Sequence, residues 1–274
     1  MVRFNPNLTP LTRRMHIPFK KFHGAGNDFV MMNNLEGIIP SLSELFVQKI
    51  CDRHFGVGAD GLIVLLHNKD YDFEMLYYNA DGRRGSLCGN GGRCAVQFAY
   101  SLGVQKEDYS FLASDGPHSA QRLEDGRIRL RMNDCQWPLA FEKGYYIDTG
   151  SPHYVEFVSD NEPFRLEERA LPIRHHTHFN PGGTNVNYVL SSSSPWKIRT
   201  FERGVEAETL ACGTGATAMA LVLAFKEGST KGKTQIEAMG GRLEVEFRKS
   251  EEAFTDIHLT GPAEQVFEGL ILLD

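Results

Sequence analysis

Apolar residues in this chain fall into short runs separated by glycine, proline and polar clusters. Most have the β-branched or alternating content of strands: Phe29–Met32, Leu62–Leu66, Phe73–Tyr78, Tyr146–Asp148, Tyr154–Val158, Asn187–Leu190, Lys197–Glu202 and Phe254–Leu259. Glu124-Asp125-Gly126 predicts a hairpin turn between Ser119–Leu123 and Arg127–Met132, and Gly240-Gly241 predicts another between Gln235–Met239 and Leu243–Phe247. Ser41-Leu-Ser-Glu44 reads as a capping box that starts a helix running to about Asp52. Two further helical segments differ from this one. Cys94–Leu102 carries Ala95, Val96, Phe98, Ala99 and Leu102 and stops at Gly103, and Ala216–Phe225 is apolar on nearly every side. A helix that is apolar all round must be buried all round, so each is expected inside a wrap of strands.

The approaches to these two helices repeat. Leu87-Cys-Gly-Asn-Gly91 leads into the first and Ala211-Cys-Gly-Thr-Gly215 into the second, so Cys-Gly-[Asn/Thr]-Gly followed by a long apolar helix occurs twice. Such self-similarity indicates an internal duplication. The expected fold class is α+β: two pseudo-symmetric domains, each a strongly curved, mostly antiparallel sheet around a central buried helix, with the active site in the cleft between them. The expected boundaries are residues 15–131 and 132–261, with a last strand in 262–274 returning to the first domain. Residues 1–14, with Pro6, Pro10 and no periodicity, read as an extension outside the fold.

Composition narrows the class. At 41% hydrophobic and 23% charged, the 274 residues suit a globular protein rather than a disordered or fibrous one. The net charge of −6, with no strongly basic segment, argues against nucleic acid as a partner. The longest apolar run, Ala218–Phe225, is far short of the ~20 residues that span a bilayer, so no membrane partner is expected. Arg3, Arg13 and Arg14 precede no apolar stretch, so no secretory signal is read and a cytoplasmic location is expected. The five cysteines, an odd number, argue against a disulfide framework.

Candidate chemistry lies in the repeated motif. The first N–H groups of a helix lack internal partners and carry partial positive charge. A cysteine there is expected to have a lowered pKa, and the glycines let backbone N–H groups approach an anion. Two such thiols facing one cleft suit inversion at carbon. One removes a proton from one face while the other delivers a proton to the opposite face. Two helix starts can hold the substrate carboxylate between them, and no Schiff-base lysine, cofactor or metal is required.

The motif set resembles the diaminopimelate epimerase family. The resemblance rests on Phe22-His-Gly-Ala-Gly-Asn-Asp-Phe29, Asp52-Arg-His-Phe-Gly-Val-Gly-Ala-Asp60, Asn79-Ala-Asp-Gly82, Leu87-Cys-Gly-Asn-Gly-Gly-Arg93, Ser151-Pro-His153, Thr184-Asn-Val-Asn187, and Phe201-Glu-Arg-Gly204 through Cys212-Gly-Thr-Gly215. These run in family order from about Met15 to the C-terminus. The resemblance implies an epimerase that interconverts L,L- and meso-2,6-diaminopimelate without pyridoxal phosphate. It makes Cys88 and Cys212 the catalytic thiols, the first acting on the L,L isomer. It places the carboxylate at the reacting carbon on the N–H groups of Gly89, Asn90, Gly213 and Thr214. Asn27, Asn79, Asn185, Glu202 and Arg203 would read the distal end, and His153 with Glu202 would support the thiols. The family's frequent Gln is replaced here by Gly61, and its usual Asn by Ser151, both near the distal end. Members are often dimeric, though no sequence feature forces a homodimer.

Blander and rival readings stand beside this one. Cys51, Cys94 and Cys135 read as structural. Arg174-His-His-Thr-His178 reads as a solvated loop before a metal site, and His54-Phe-Gly-Val-Gly58 as a tight turn before a phosphate loop. His23 either orients Asn27 or packs. A racemase of the proline-racemase kind, a thiol redox sensor and a simple anion-binding module are the alternatives.

Overall fold

The computed structural model describes residues 15–85, 87–159, 165–190 and 195–273; the N-terminal extension read at 1–14 lies outside the described residues. Strand β1 (Met15–Gly24) is antiparallel to β2 (Asn27–Asn34). Helix α1 (Glu44–Cys51) leads to β3 (Gly61–Leu66), parallel to β2, and β4 (Phe73–Asn79) returns antiparallel to β3. Helix α2 (Gly89–Ser101) then crosses to β5 (Asp108–Ala113), parallel to β4. Strands β6 (Gly116–Arg122) and β7 (Ile128–Arg131) follow as antiparallel neighbours.

After the short β8 (Cys135–Gln136) and β9 (Leu139–Phe141), β10 (Gly144–Asp148) is antiparallel to β11 (Pro152–Val158). Helix α3 (Leu166–Arg174) leads to β12 (Asn185–Leu190), parallel to β11, and β13 (Trp196–Glu202) returns antiparallel. Strand β14 (Ala207–Thr209) folds back on β13, and helix α4 (Gly213–Glu227) crosses to β15 (Lys231–Ala238), parallel to β13. Strands β16 (Gly241–Lys249) and β17 (Ala253–Gly261) are antiparallel neighbours. The pairing order of β1–β7 therefore recurs in β10–β17. Strand β17 also pairs with β7, and β18 (Glu264–Leu273) lies antiparallel along β1. The result is a sheet-dominated α+β fold with few helices.

The two apolar helices are buried as their composition demands. Helix α2 packs against β1–β4, β6 and β7, and α4 packs against β10–β13 and β15–β17. One continuous apolar cluster contains Phe22, Phe29, Phe98 and Phe111 beside α2 and Met219, Leu221, Val222, Val245 and Leu259 beside α4. Each large apolar side chain so buried contributes roughly 1.5–3 kcal/mol. Helix α4 ends at Gly228, whose φ of 68° is the left-handed cap that glycine adopts without strain.

Several boundaries differ from the sequence reading. Helix α2 begins at Gly89, ahead of the expected Cys94, because its first turn is buried without being apolar: Asn90 and Arg93 point inward. The cap of α1 is Ser43, whose Oγ accepts from the Phe46 N–H at 3.2 Å, so the expected capping box at Ser41 is not used. Strands β1, β5, β8, β9 and β14 and helix α3 are absent from the elements that the sequence pattern predicts. Only Leu166, Ala170 and Arg174 of α3 are buried, which leaves almost no apolar signal. Arg174–His178 is not one loop: α3 ends at Arg174 and a 3₁₀ turn spans Thr177–Phe179.

Candidate active site

Cys88 and Cys212 are the N-cap residues of α2 and α4, both in extended backbone conformation. Each carbonyl accepts the first bond of its helix, from Gly92 at 2.7 Å and from Ala216 at 2.9 Å. Neither thiol caps its own helix, so both helix starts keep free donors. The two starts abut: a Cβ on Gly89 would lie 4.0 Å from the Gly213 Cα, and one on Gly213 would press to 2.8 Å of the Leu259 Cδ2. A Cβ at either glycine would press on Leu259 of β17 and would touch the facing helix start in ordinary contact. Residues Gly89, Asn90, Gly213 and Thr214 are thereby brought together.

Around Cys88, amide orientations are fixed from outside. The Asn27 Nδ2 donates to the Asp60 Oδ2 at 2.7 Å, which turns its Oδ1 toward the thiol and the Asn90 amide. Cys88 Sγ lies 3.5 Å from this acceptor. Asp60 is held by Arg53 at 2.7 Å, and Arg53 also grips Asp28 through two bonds of 2.9 and 3.0 Å. Lys21, buried in β1, pairs with Asp28 at 2.7 Å and donates to the Gly58 carbonyl. Burial opposes ionisation of Asp28, but Arg53 and Lys21 outweigh it and hold the carboxyl far below its usual range. The glycine-rich turn before β3 therefore has a structural use. His23 Nδ1 accepts from the Gly26 N–H at 3.3 Å, so it orders the β1–β2 turn and does not bond Asn27.

Around Cys212 the partners are of another kind. Its Sγ is 3.4 Å from the Thr214 Oγ1, which lies 2.9 Å from the His153 Nε2. His153 is fully buried, and its Nδ1 is 3.1 Å from the Asn187 Nδ2. Asn187 Nδ2 also donates to the Tyr154 carbonyl at 2.9 Å, and its Oδ1 accepts from the Thr200 hydroxyl at 2.9 Å. This orientation makes Nδ1 the acceptor and places the ring proton on Nε2, which donates to Thr214 and leaves the Thr214 hydrogen for Cys212. Burial, with the Arg203 charge nearby, lowers the His153 pKa to about 3, so the ring is neutral.

The expected lowering of the thiol pKa values does not prevail. Burial pushes both Cys88 and Cys212 up, and the Glu202 charge adds to it, while backbone N–H groups of Asn90 and Gly91, and of Gly215, pull the other way. Desolvation outweighs the helix start in both cases. Burial likewise pushes Cys51 and Cys135 up to about 12, and Cys94 lies fully inside the core.

The distal candidates form a second group. Asn185 donates to the Ser151 Oγ and to the Pro152 carbonyl, each at 2.9 Å, and accepts from the Arg203 N–H at 2.8 Å. Ser151 thus holds the asparagine in place. The Arg203 side chain is exposed and has no carboxylate partner among the described residues. Glu202 accepts from Thr209 at 3.0 Å, and burial raises its pKa; His153 is not its partner, because β11 directs the ring to Thr214. Asn79 accepts from the Tyr77 hydroxyl at 2.9 Å. A Cβ at Gly61 or at Gly85 would lie 2.6 Å from the Tyr77 ring, and at Gly61 also 2.6 Å from the Tyr78 carbonyl, so the ring and the β4 backbone together fill the space that a glutamine at position 61 would need.

Sequence reasoning passed over Asp60, Arg93, Asn187 and Thr200 as individual residues, although the first three lie within the quoted motifs. No group of three metal-ligating side chains occurs among the described residues, and no helix there is long and apolar enough to cross a membrane.

The diaminopimelate epimerase family model matches residues 19–137 and 145–266. A diaminopimelate epimerase of Flavobacterium psychrophilum is 42% identical over 252 residues, covering 92% of this chain and 98% of its own length. That of Aquifex aeolicus is 39% identical, covering 92% and 96%. Among solved structures, a phenazine biosynthesis protein of the PhzF family from Bacillus anthracis superposes with a TM-score of 0.75 at 18% identity, covering 94% of this chain and 100% of its own. A hydroxyproline epimerase from Agrobacterium vitis gives 0.69 at 13%, covering 96% and 93%. These structures share the fold, whereas the sequence matches run through both cysteine motifs, and on that evidence the chain belongs to the diaminopimelate epimerase family.

Proposed function

We propose that this chain interconverts L,L- and meso-2,6-diaminopimelate by a two-base thiol mechanism, with a small-molecule amino acid as its partner. The observation that carries the reading is the meeting of two Cys-capped helix starts at Gly89 and Gly213. The repeated pairing order supports two pseudo-symmetric domains, 15–131 with the last strand and 132–261, each around its helix, with the site in the cleft between them.

The substrate carboxylate sits on the N–H groups of Gly89, Asn90, Gly213 and Thr214, where both helix dipoles favour an anion. One sulfur takes the α-proton: the C–H bond breaks, an S–H bond forms, and charge develops toward the carboxylate. The other sulfur gives up its proton to the opposite face, so the enzyme ends with the proton exchanged between sulfurs. Cys88 is assigned to the L,L isomer and Cys212 to the reverse. On that assignment the wiring above, with Cys88 as donor to Asn27 and Cys212 as acceptor from Thr214, is the form that takes the meso isomer. At the distal end, Arg203 grips the second carboxylate through two parallel bonds, and Glu202, Asn27, Asn79 and Asn185 complete the polar lining.

Incubation of the reduced protein with L,L-diaminopimelate in D2O tests the reading. Deuterium is expected at one α-carbon together with appearance of the meso isomer. No incorporation would sink it, and incorporation into proline instead would favour the rival racemase.

A further inference from the structure

Arg93 is fully buried one turn into α2, yet its neighbours include no carboxylate among the described residues. A guanidinium stays charged in a protein, and burying a charge is costly unless the molecule uses it. Its slot is built for it. A Cβ on Gly24 of β1 would lie 3.3 Å from one terminal nitrogen, and a Cβ on Gly261 of β17 would lie 3.0 Å from Nε. Within the slot Arg93 donates to the Gly89 carbonyl at 3.2 Å, the Asn90 Oδ1 at 2.8 Å and the Pro262 carbonyl at 3.3 Å.

Two of these bonds act on the helix start. The Gly89 carbonyl and the Asn90 N–H belong to one peptide group, and that N–H is among the helix-start donors that favour the Cys88 thiolate. A cationic donor on the carbonyl polarises the group and strengthens its N–H toward an anion. The bond to Asn90 Oδ1 turns that side chain's amide outward, to Asn27 Oδ1 at 3.2 Å and to the Ala211 carbonyl at 2.9 Å, tying α2 to the residue before Cys212. On α4 the corresponding position is Thr217, also fully buried, which donates to the Gly213 carbonyl at 3.0 Å with a neutral hydroxyl.

We propose that Arg93 is a positioning residue that makes the two helix starts unequal: its buried charge strengthens the anion-holding N–H groups around Cys88, while Thr217 gives Cys212 only a neutral counterpart. The proposal rests on the two-thiol reading. The titratable groups facing Cys88 from other elements are Tyr77 of β4, Glu202 of β13 and Cys212 at the start of α4.

The test is the pH dependence of iodoacetamide alkylation, resolved for each cysteine by peptide mass spectrometry without substrate. It is therefore independent of the exchange assay: a protein that failed to exchange α-protons would still give two thiol midpoints. In Arg93→Gln the Cys88 midpoint should rise by about one pH unit, a ~10-fold slower reaction near neutrality, with Cys212 unmoved. In Arg93→Lys, which keeps the charge but cannot hold the three acceptors at once, the Cys88 rise should be about half as large. If Arg93→Gln does not fold, Arg93→Lys decides alone. Equal shifts at both thiols, or no shift at Cys88, would overturn the proposal.

Discussion

Cys88 and Cys212 hold the same place on their helices, and their sulfurs meet opposite partners. Cys88 faces an amide oxygen, which can only accept; Cys212 faces a hydroxyl whose own lone pair is engaged by a neutral histidine. Behind Cys88 stands a chain of charges from Asn27 through Asp60 and Arg53 to Asp28 and Lys21. Behind Cys212 stands an uncharged chain from Thr214 through His153 and Asn187 to Thr200. A two-base reaction needs backbone symmetry to hold one carboxylate from both sides. It also needs side-chain asymmetry, because at any moment one sulfur must carry a proton and the other must not.

The most severe way to break the comparison is to remove one sulfur. Cys88→Ala and Cys212→Ala should each lower epimerisation by at least ~10³-fold, the scale of losing an acid or base, as read by appearance of the second isomer. A single variant that kept its turnover would end the two-base assignment. A smaller cut acts on one side only. Thr214→Val removes the hydroxyl between His153 and Cys212 and should cost about 10-fold in kcat, with KM changed less, because the backbone N–H that holds the carboxylate remains. The matching loss in KM alone would move Thr214 from proton handling to binding.

The smallest expected effect concerns stability. In the folded protein His153 titrates at about 3, against 6.5 for a free histidine, so folding favours the neutral ring. Its contribution is fully present above pH 6.5 and is lost as the pH falls below it, by up to about 1.4 kcal/mol per pH unit. The melting temperature of the wild-type protein should therefore fall between pH 6.5 and about pH 5, and His153→Gln should flatten that fall. His258, also held below its usual value by burial, adds to the fall in this window, and Glu202, whose pKa burial raises, opposes it; both contribute to the slope that remains. An unchanged slope in the variant would mean that the ring is not held neutral.

The two helix starts were legible because their signal is local: Cys-Gly-x-Gly followed by an apolar helix needs no partner to be recognised. The residues that give the two thiols different environments were not, because each depends on strand register. Asn187 meets Thr200 only through the antiparallel pairing of β12 with β13, and His153 meets Asn185 only through the parallel pairing of β11 with β12. Arg93 sits in a quoted motif, but its slot is made by Gly24 and Gly261, at opposite ends of the chain. The helix-start argument for acidic thiols had the right sign for its own contribution and lost to burial, which a motif does not display.

The fit of Tyr77 between Gly61 and Gly85 constrains what either glycine position can accept. A larger residue at position 61 collides with the ring, and a smaller residue at position 77 leaves Asn79 without the hydroxyl it accepts from. A side chain at 61 would therefore have to displace both the Tyr77 ring and the Tyr78 carbonyl, so shrinking position 77 alone would not make room for it. Position 61 is thus coupled to the backbone of β4 as well as to one side chain, and an exchange there demands a shift of the strand itself.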